Sequence, residues 1–396
     1  LGAHSCTREN KTNKNDTGIQ DMCGIVFWNV TGMSSEELAA VKMCMQRLQH
    51  RGPDGSVVKS YGSSNGATFM FGFHRLAIIN KDKSGMQPFE HEGGVLACNG
   101  EIYNFTALAA AHRVADLRSD TDIIGRLLSD APLAAAAQVI DKLDGDFAFA
   151  YQKADGFIVA RDRFGVRPLF YGTDALGRPV AFASEAKALH GGPGIVDVAV
   201  FPPGHFLHYS LQFPDSHSFA SYRQEDSGAE EDSGGEDIDS GGDATVHQLL
   251  SEAVRKRLAH SDRPVGVLCS GGVDSALITS IASRVVDPAM LTVFTMEYAG
   301  SRSEDAFYAK MLCSKLGFKH TVVSFNRDDV AEYMDRVVVA LETYDPNTIR
   351  AAIPMYLLAK HIAENTDIKV ILSGEGADEL FAGYGYFRFA PDGASL

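Results

Sequence analysis

The stretch "VGVLCSGGVDSALITSIAS" (265–283) ends an apolar run on a hydroxyl, two glycines, a carboxylate and a second hydroxyl. Gly271 and Gly272 let the backbone turn sharply and approach a ligand closely. A helix is expected to open near Asp274. Unpaired N–H groups at a helix N-terminus, with the macrodipole behind them, attract an anion, and Ser270 and Ser275 add hydroxyl donors. Asp274 would repel a phosphate unless a divalent cation lay between, so the loop implies Mg²⁺ beside a nucleotide. The same residues also read as a plain strand–turn–helix with Asp274 as a favourable N-terminal charge. The Walker pattern, which needs G-K-[ST], is not what stands here.

A second strand end repeats the grammar. "VILSGEGADELFAGY" (370–384) runs from an apolar strand into Ser373 and Gly374, then Glu375, Asp378 and Glu379 on an opening helix. Ligands of open parallel sheets sit beyond the carboxyl ends of strands. Two such ends describe a nucleotide–metal cleft, although acids also favour a helix N-terminus with no ligand present. At the other end of the chain, "QDMCGIVFWN" (20–29) sets Cys23 at the front edge of the first apolar strand, directly after Met22.

Positioning these groups takes two kinds of architecture. From about residue 265, strand and helix alternate, with helices expected at about 274–286, 303–316, 329–341 and 351–365. This is the pattern of a parallel sheet with covering helices. Before residue 210 the strands are short and bounded by Gly, Asp or Pro, with helical segments at 35–49 and 121–140, which predicts a β-rich α+β unit. Between them, residues 225–243 hold nine acids and no base. Such a tract repels itself and buries no apolar area, so 210–243 reads as a disordered linker.

The 396 residues exceed a single core, so at least two domains are expected. The net charge of −15 argues against a nucleic-acid partner. No apolar stretch suffices to span a bilayer, and the leader before Met22 lacks the apolar core of a secretory signal. The expected address is cytoplasmic, by elimination. The six cysteines are scattered with no C-x-x-C pair, which fits free thiols; Cys44, Cys98, Cys269 and Cys313 read as core residues.

The motifs together resemble glutamine-dependent asparagine synthetase, a class II N-terminal-nucleophile amidotransferase. "SGGVDS" is similar to the pyrophosphate loop of ATP pyrophosphatase-type ligases, and "ETYDPNTIR" (342–350), "IPMYLLAK" (353–360) and "LSGEGADELFAGY" (372–384) match that family. In the first half, "HRGPDG" (50–55), "HRLAI" (74–78), "CNGEIYN" (98–104), "RSDTD" (118–122), "RDRFGVRPLFY" (161–171) and "FASEAKAL" (182–189) resemble its glutaminase.

The resemblance implies an α+β glutaminase of αββα layers at 23–209, and a Rossmann-like α/β ATP pyrophosphatase domain at 244–396. It implies conversion of aspartate, glutamine and ATP to asparagine, glutamate, AMP and pyrophosphate through an adenylate. Cys23 would be the nucleophile, and its own freed α-amine the base, so the leader 1–22 is expected to be removed or never made. Asn99 and Gly100 would form the oxyanion hole. Arg75 would clamp the glutamine carboxylate, Glu101 and Asp120 its amino group, and Leu76, Ala77, Ile78 and Ile79 the pocket wall. In the ligase half, Leu268, Ser270, Gly271, Gly272, Asp274, Ser275, Met296, Ser373 and Gly374 would hold ATP. Asp274 and Asp378 would hold Mg²⁺, Glu375 would serve adenylate formation, and Thr348 and Arg350 would hold aspartate. The resemblance implies no nucleic-acid or membrane partner and admits a homodimer.

The chain departs from the family at Asn347 behind Pro346, at Ala382 and at Asp146. It also stops at Leu396, before a helical segment that the family carries, which reads as an incomplete ligase half. Two other readings stay open: a glutaminase or binding fragment with an inactive ligase half, and a β-lactam-forming relative, against which Cys23 and "ETYDPNTIR" argue.

Overall fold

A computed structural model describes residues 22–63, 65–80, 82–132, 135–213, 217–222, 241–259, 261–301 and 303–389. The leader, Cys6, most of the acidic tract (223–240) and the last seven residues lie outside the described residues.

Among the described residues, twelve strands build the first unit: β1 (Gly24–Asn29), β2 (Gly55–Gly62), β3 (Thr68–Arg75), β4 (Phe89–His91), β5 (Gly94–Ile102), β6 (Gly145–Lys153), β7 (Gly156–Arg161), β8 (Phe170–Thr173), β9 (Pro179–Ala183), β10 (Asp197–Val200), β11 (His205–Ser210) and β12 (Ser218–Ser221). They form two six-stranded sheets, ordered β10-β8-β9-β1-β3-β2 and β12-β11-β7-β6-β5-β4. The period of two along each strand sorts side chains between layers. On β1, Ile25 and Phe27 enter the core between the sheets, while Val26 and Trp28 face α1 (Ser35–Gln46), against Val41, Cys44 and Met45. The inter-sheet core is aromatic. Phe27 stacks on Phe69 at 5.3 Å and meets Phe157 edge-on at 4.9 Å. Burying each such ring contributes roughly 2–3 kcal/mol. The outer face of the second sheet is covered by α2 (Phe105–His112), α3 (Asp122–Asp130) and α4 (Ala136–Ile140), through Ile123, Ile124, Leu128 and Ile140. The layering is αββα.

The second unit has one parallel sheet, β15-β14-β13-β16, from β13 (Val265–Leu268), β14 (Thr292–Tyr298), β15 (Lys319–Phe325) and β16 (Val370–Leu372). Around it lie α5 (Gly241–Ala259), α6 (Val273–Val285), α7 (Glu304–Leu316), α8 (Arg327–Leu341), α9 (Pro346–Asn365) and α10 (Ala377–Phe381). Val254 of α5, Ile281 of α6 and Ala309 of α7 pack on one side with Val267 and Val293, and Leu358 and Ile362 of α9 pack on the other with Phe294. β13 and β16 pair with Val267 opposite Leu372, so their following loops emerge side by side.

Three differences from the sequence reading have physical reasons. Residues 121–140 hold two helices, α3 and α4, because Pro132 interrupts the run. α9 opens at Pro346, five residues before the expected start. Asp345 caps it by accepting from the Thr348 N–H at 2.9 Å, and proline suits a first helical position that donates no bond. The unusual Pro346 is therefore a start signal. The span read as linker contains β12, paired to β11 through Phe206–Ala220 and Leu207–Phe219, and the first turn of α5. Ala382 falls on a left-handed position, φ 52°, at the end of α10, where glycine would be free of strain.

Candidate functional site

Cys23 precedes β1, and its sulfur lies 3.3 Å from the Leu76 nitrogen just beyond β3. Burial pushes the thiol up, opposed by the Leu76 N–H and by the positive charges of Arg167, Arg51 and Arg75. The Cys23 carbonyl accepts from Arg51 Nε at 3.0 Å, and Arg51 pairs with Glu185 at 2.8 Å. Despite burial, His50, Arg51 and Lys187 hold Glu185 down to about 2.

A pocket of about 50 Å³ opens at Cys23. It is lined by Arg75, Leu76, Ile78 and Ile79 on one side, and by Asn99, Gly100, Glu101 and Asp120 on the other. The sequence thus names most of this wall. Ala77 does not line it; its N–H donates to Asp54 at 2.7 Å. Arg75 Nη1 donates to the Asp82 carbonyl at 2.6 Å and Nη2 to the Asn80 carbonyl, so backbone oxygens fix the guanidinium fork.

Asn99 sits on β5, 2% exposed, and its Nδ2 has no partner among the described residues. An unpaired buried donor costs roughly 1–3 kcal/mol, and groups of this kind persist where a ligand supplies the acceptor. The strand is pinned beside it by Gln87, whose side chain accepts from the Cys98 N–H at 2.6 Å and donates to the Cys98 carbonyl at 3.1 Å. The same wall carries two carboxyls. Burial pushes Asp120 up to about 7, against the Ile102 N–H that it accepts at 2.8 Å. Burial raises Glu101 too, opposed by Arg167. Two desolvated acids side by side are poised to receive one cation.

In the second unit, the Ser270 and Ser275 hydroxyls lie 3.0 Å apart, and Ser275 Oγ accepts from the Ser270 N–H at 3.1 Å. Gly271 takes φ +88°, and a Cβ there would stand 2.5 Å from the Asp305 carbonyl. The loop therefore needs glycine for its conformation and for its close approach to α7. A Cβ on Gly374 would lie 3.0 Å from the Ser275 nitrogen, so the two strand-end loops touch. Asp274 occupies the first turn of α6 and Asp378 that of α10. The Glu375 N–H donates to Ser373 Oγ at 3.2 Å. Leu268 and Met296 share a small apolar cluster with Phe294 and Ile362. Thr348 Oγ1 donates to Asp345 at 3.0 Å, and Arg350 is exposed on the first turns of α9. Among the described residues no group of three or more His, Cys, Asp or Glu could hold a metal.

The units meet through specific bonds. Arg263 Nε donates to the Ala77 carbonyl at 2.8 Å, the Asn80 N–H to Asp262 at 2.9 Å, and Arg257 pairs with Asp146 at 3.5 Å. The departure at Asp146 thus serves the interface, where Tyr103 also donates to it at 2.8 Å. Between the units lies a cavity of about 480 Å³, walled by Leu268, Tyr356, Ala359 and Ile371. Met22, Ile78, Glu101 and Arg167 line both this cavity and the Cys23 pocket.

Sequence reasoning gave no role to Arg51, Gln87, Arg167 or Glu185. All four stood inside motifs that carry the resemblance, "HRGPDG", "MQPF" (86–89), "RDRFGVRPLFY" and "FASEAKAL", whose arginines, amide and buried acid were the available signal. No helix among the described residues is long and apolar enough to cross a membrane.

Comparison with known proteins agrees with both halves. Residues 22–221 match the family model for a glutamine amidotransferase domain and 245–395 that for asparagine synthase. A probable glutamine-hydrolysing asparagine synthetase of Acanthamoeba polyphaga mimivirus is 34% identical, over 94% of this chain and 69% of that protein. The asparagine synthetase of Cricetulus griseus is 35% identical over 93% of this chain and 68% of its own length, and that of Homo sapiens 34% over the same shares. The chain belongs to the glutamine-hydrolysing asparagine synthetase family, ATP-dependent ligases that take their nitrogen from glutamine.

Proposed function

We propose that glutamine binds in the Cys23 pocket and aspartate and ATP at the ends of β13 and β16, with the intervening cavity carrying ammonia from one to the other. The observation that supports this most is the shared wall: Ile78, Glu101 and Arg167, all of which follow Cys23, border both the Cys23 pocket and the inter-unit cavity.

In the first half-reaction, Arg75 pairs with the glutamine carboxylate, and Glu101 and Asp120 take its ammonium group. Cys23 Sγ attacks the side-chain amide. The proton passes to the α-amine of Cys23, whose ordinary pKa of about 7.7–8.0 suits it as a base once the peptide bond to Met22 is gone. Asn99 Nδ2 and the Gly100 N–H receive the developing oxyanion. Ammonia leaves, and water releases glutamate from the thioester.

In the second half-reaction, Ser270–Ser275 cradle the phosphates, Leu268 and Met296 border the adenosine, and Ser373 and Gly374 complete the floor. Thr348 and Arg350 hold aspartate, whose β-carboxylate attacks the α-phosphorus of ATP and expels pyrophosphate, with Glu375 alongside. Ammonia then displaces AMP. Asp274 and Asp378 fit Mg²⁺, which typically takes one or two carboxylates plus substrate phosphates and water; bound there, it would neutralise phosphate charge. The reading extends to a glutaminase domain from Cys23, a ligase domain from about residue 244, a cytoplasmic address and a homodimer.

The test is conversion of aspartate and Mg-ATP with amide-¹⁵N glutamine. Labelled asparagine with one AMP and one pyrophosphate per turnover is expected. Label recovered only as free ammonium, with no asparagine, would remove the coupled reading and leave a glutaminase.

A further inference from the structure

Glu342 opens "ETYDPNTIR" and ends α8 with φ 57° and ψ 34°, the left-handed region. Glycine or asparagine ordinarily fills such a position. A glutamate held there points to a use for the side chain, because strained backbone persists only where the surroundings fix it. Its carboxylate, mostly covered, crosses to the other unit. It accepts from the Ala186 N–H at 2.7 Å and the Lys187 N–H at 2.6 Å. It also faces Lys187 Nζ at 3.7 Å.

Those contacts continue in one direction. Lys187 Nζ donates to Glu185 at 2.8 Å. Glu185 pairs with Arg51 at 2.8 Å, and Arg51 Nε donates to the carbonyl of Cys23 at 3.0 Å. A series of charge-assisted hydrogen bonds and ion pairs therefore runs from Glu342, just ahead of α9, through Lys187, Glu185 and Arg51 to the backbone of Cys23. Each link involves at least one ion and is largely shielded from water, where such bonds are strongest.

We propose that Glu342 is a positioning residue that holds the two half-reactions in register: through Lys187, Glu185 and Arg51 it fixes the Cys23 main chain relative to the first turns of α9, which bear Thr348 and Arg350. This rests on the reading of Cys23 as the glutamine nucleophile. Glu342 touches no substrate. Its effect is to keep glutamine hydrolysis in step with the site that consumes the ammonia.

The experiment uses the chain made to begin at Cys23, otherwise whole, and three variants of it, with glutamate and asparagine counted in the same reaction. E342G relieves the left-handed strain and deletes the carboxylate. K187M breaks the series from the other side without altering that backbone. E342Q keeps one oxygen to cap the two N–H groups but loses the charge facing Lys187. In E342G and K187M, glutamate formed per asparagine is expected to rise at least threefold, while glutamine hydrolysis and ammonia-dependent synthesis, each measured alone, stay within twofold of the parent. E342Q should fall between. A purely structural role would lower the melting temperature and leave the ratio alone, so an unchanged ratio in both E342G and K187M overturns the proposal. If the unmutated chain forms no glutamate, the reading of Cys23 falls first and the proposal falls with it.

Discussion

The unpartnered Nδ2 of Asn99 lies in the same pocket as the Cys23 sulfur, on a β-strand anchored from behind by Gln87. A donor kept unsatisfied in the free protein costs nothing to reorganise when negative charge develops before it. Asn99→Ala should therefore lower kcat for glutamine hydrolysis by about 10²–10³-fold with little change in KM. Its melting temperature should hold or rise, since the substitution removes a buried unmet donor. A fall in KM-dependent affinity with kcat intact would move Asn99 out of the oxyanion role.

Asp120 gives a pH signature. Its folded pKa of about 7 lies above the ordinary 3.8. Between those values the folded chain keeps a proton that the unfolded chain has lost, so stability falls as pH rises through that window. Asp120→Asn removes this fall: the two proteins should melt together near about pH 4, and the variant higher at about pH 8. Glutamine, which needs the ionised acid, should bind the parent more weakly as pH drops below about 7. The variant should show KM raised about 10- to 100-fold.

The peptide bond before Cys23 converts its nitrogen from a base to a non-basic amide. A chain made to start at Cys23 should hydrolyse glutamine, and one that retains Met22 should fall below about 1% of that rate. Ammonia-dependent asparagine formation should be equal in both. N-terminal sequencing of the active fraction with paired rate measurements checks this; equal glutaminase rates would point to another base.

Ala359 lies on the cavity wall between the units. Ala359→Phe places a ring in the proposed passage. Glutamine hydrolysis should be unchanged within about twofold. Glutamine-dependent asparagine should drop several-fold, and excess ammonium should restore it. Retained coupling would mean that ammonia travels elsewhere.

Gly271 is held at φ +88° with α7 close behind it. Gly271→Ala must shift the Asp305 carbonyl or the loop, and should raise the KM for ATP and lower stability by about 1–3 kcal/mol. Cys23 chemistry should be untouched, measured as glutaminase activity without ATP.

Much of this was legible in the residues because it depends on local period. β1 alternates two layers over six residues, and the glycine pairs after β13 and β16 announce turns wherever they occur. The pocket wall was legible only through resemblance, since its residues come from strands far apart in sequence. What stayed hidden depends on tertiary register. Arg51 and Glu185 are 134 residues apart, and nothing near either predicts the other. Gln87 serves β5 as a backbone substitute, a use that no propensity records. β12 was lost because four residues beside an acidic tract carry too little pattern, although pairing with β11 suffices to order them.

That substitution by Gln87 has a consequence of its own. β4 covers β5 for only three residues, Phe89–His91, opposite Gly94–Leu96. Beyond it, the buried Cys98 amide and carbonyl would be left without a strand to pair with, in a place that water does not reach. The carboxamide of Gln87 fills both, beside Asn99. The same two hydrogen bonds thus satisfy an interior strand edge and stiffen the pocket wall, and weakening them would be expected to cost stability along with turnover.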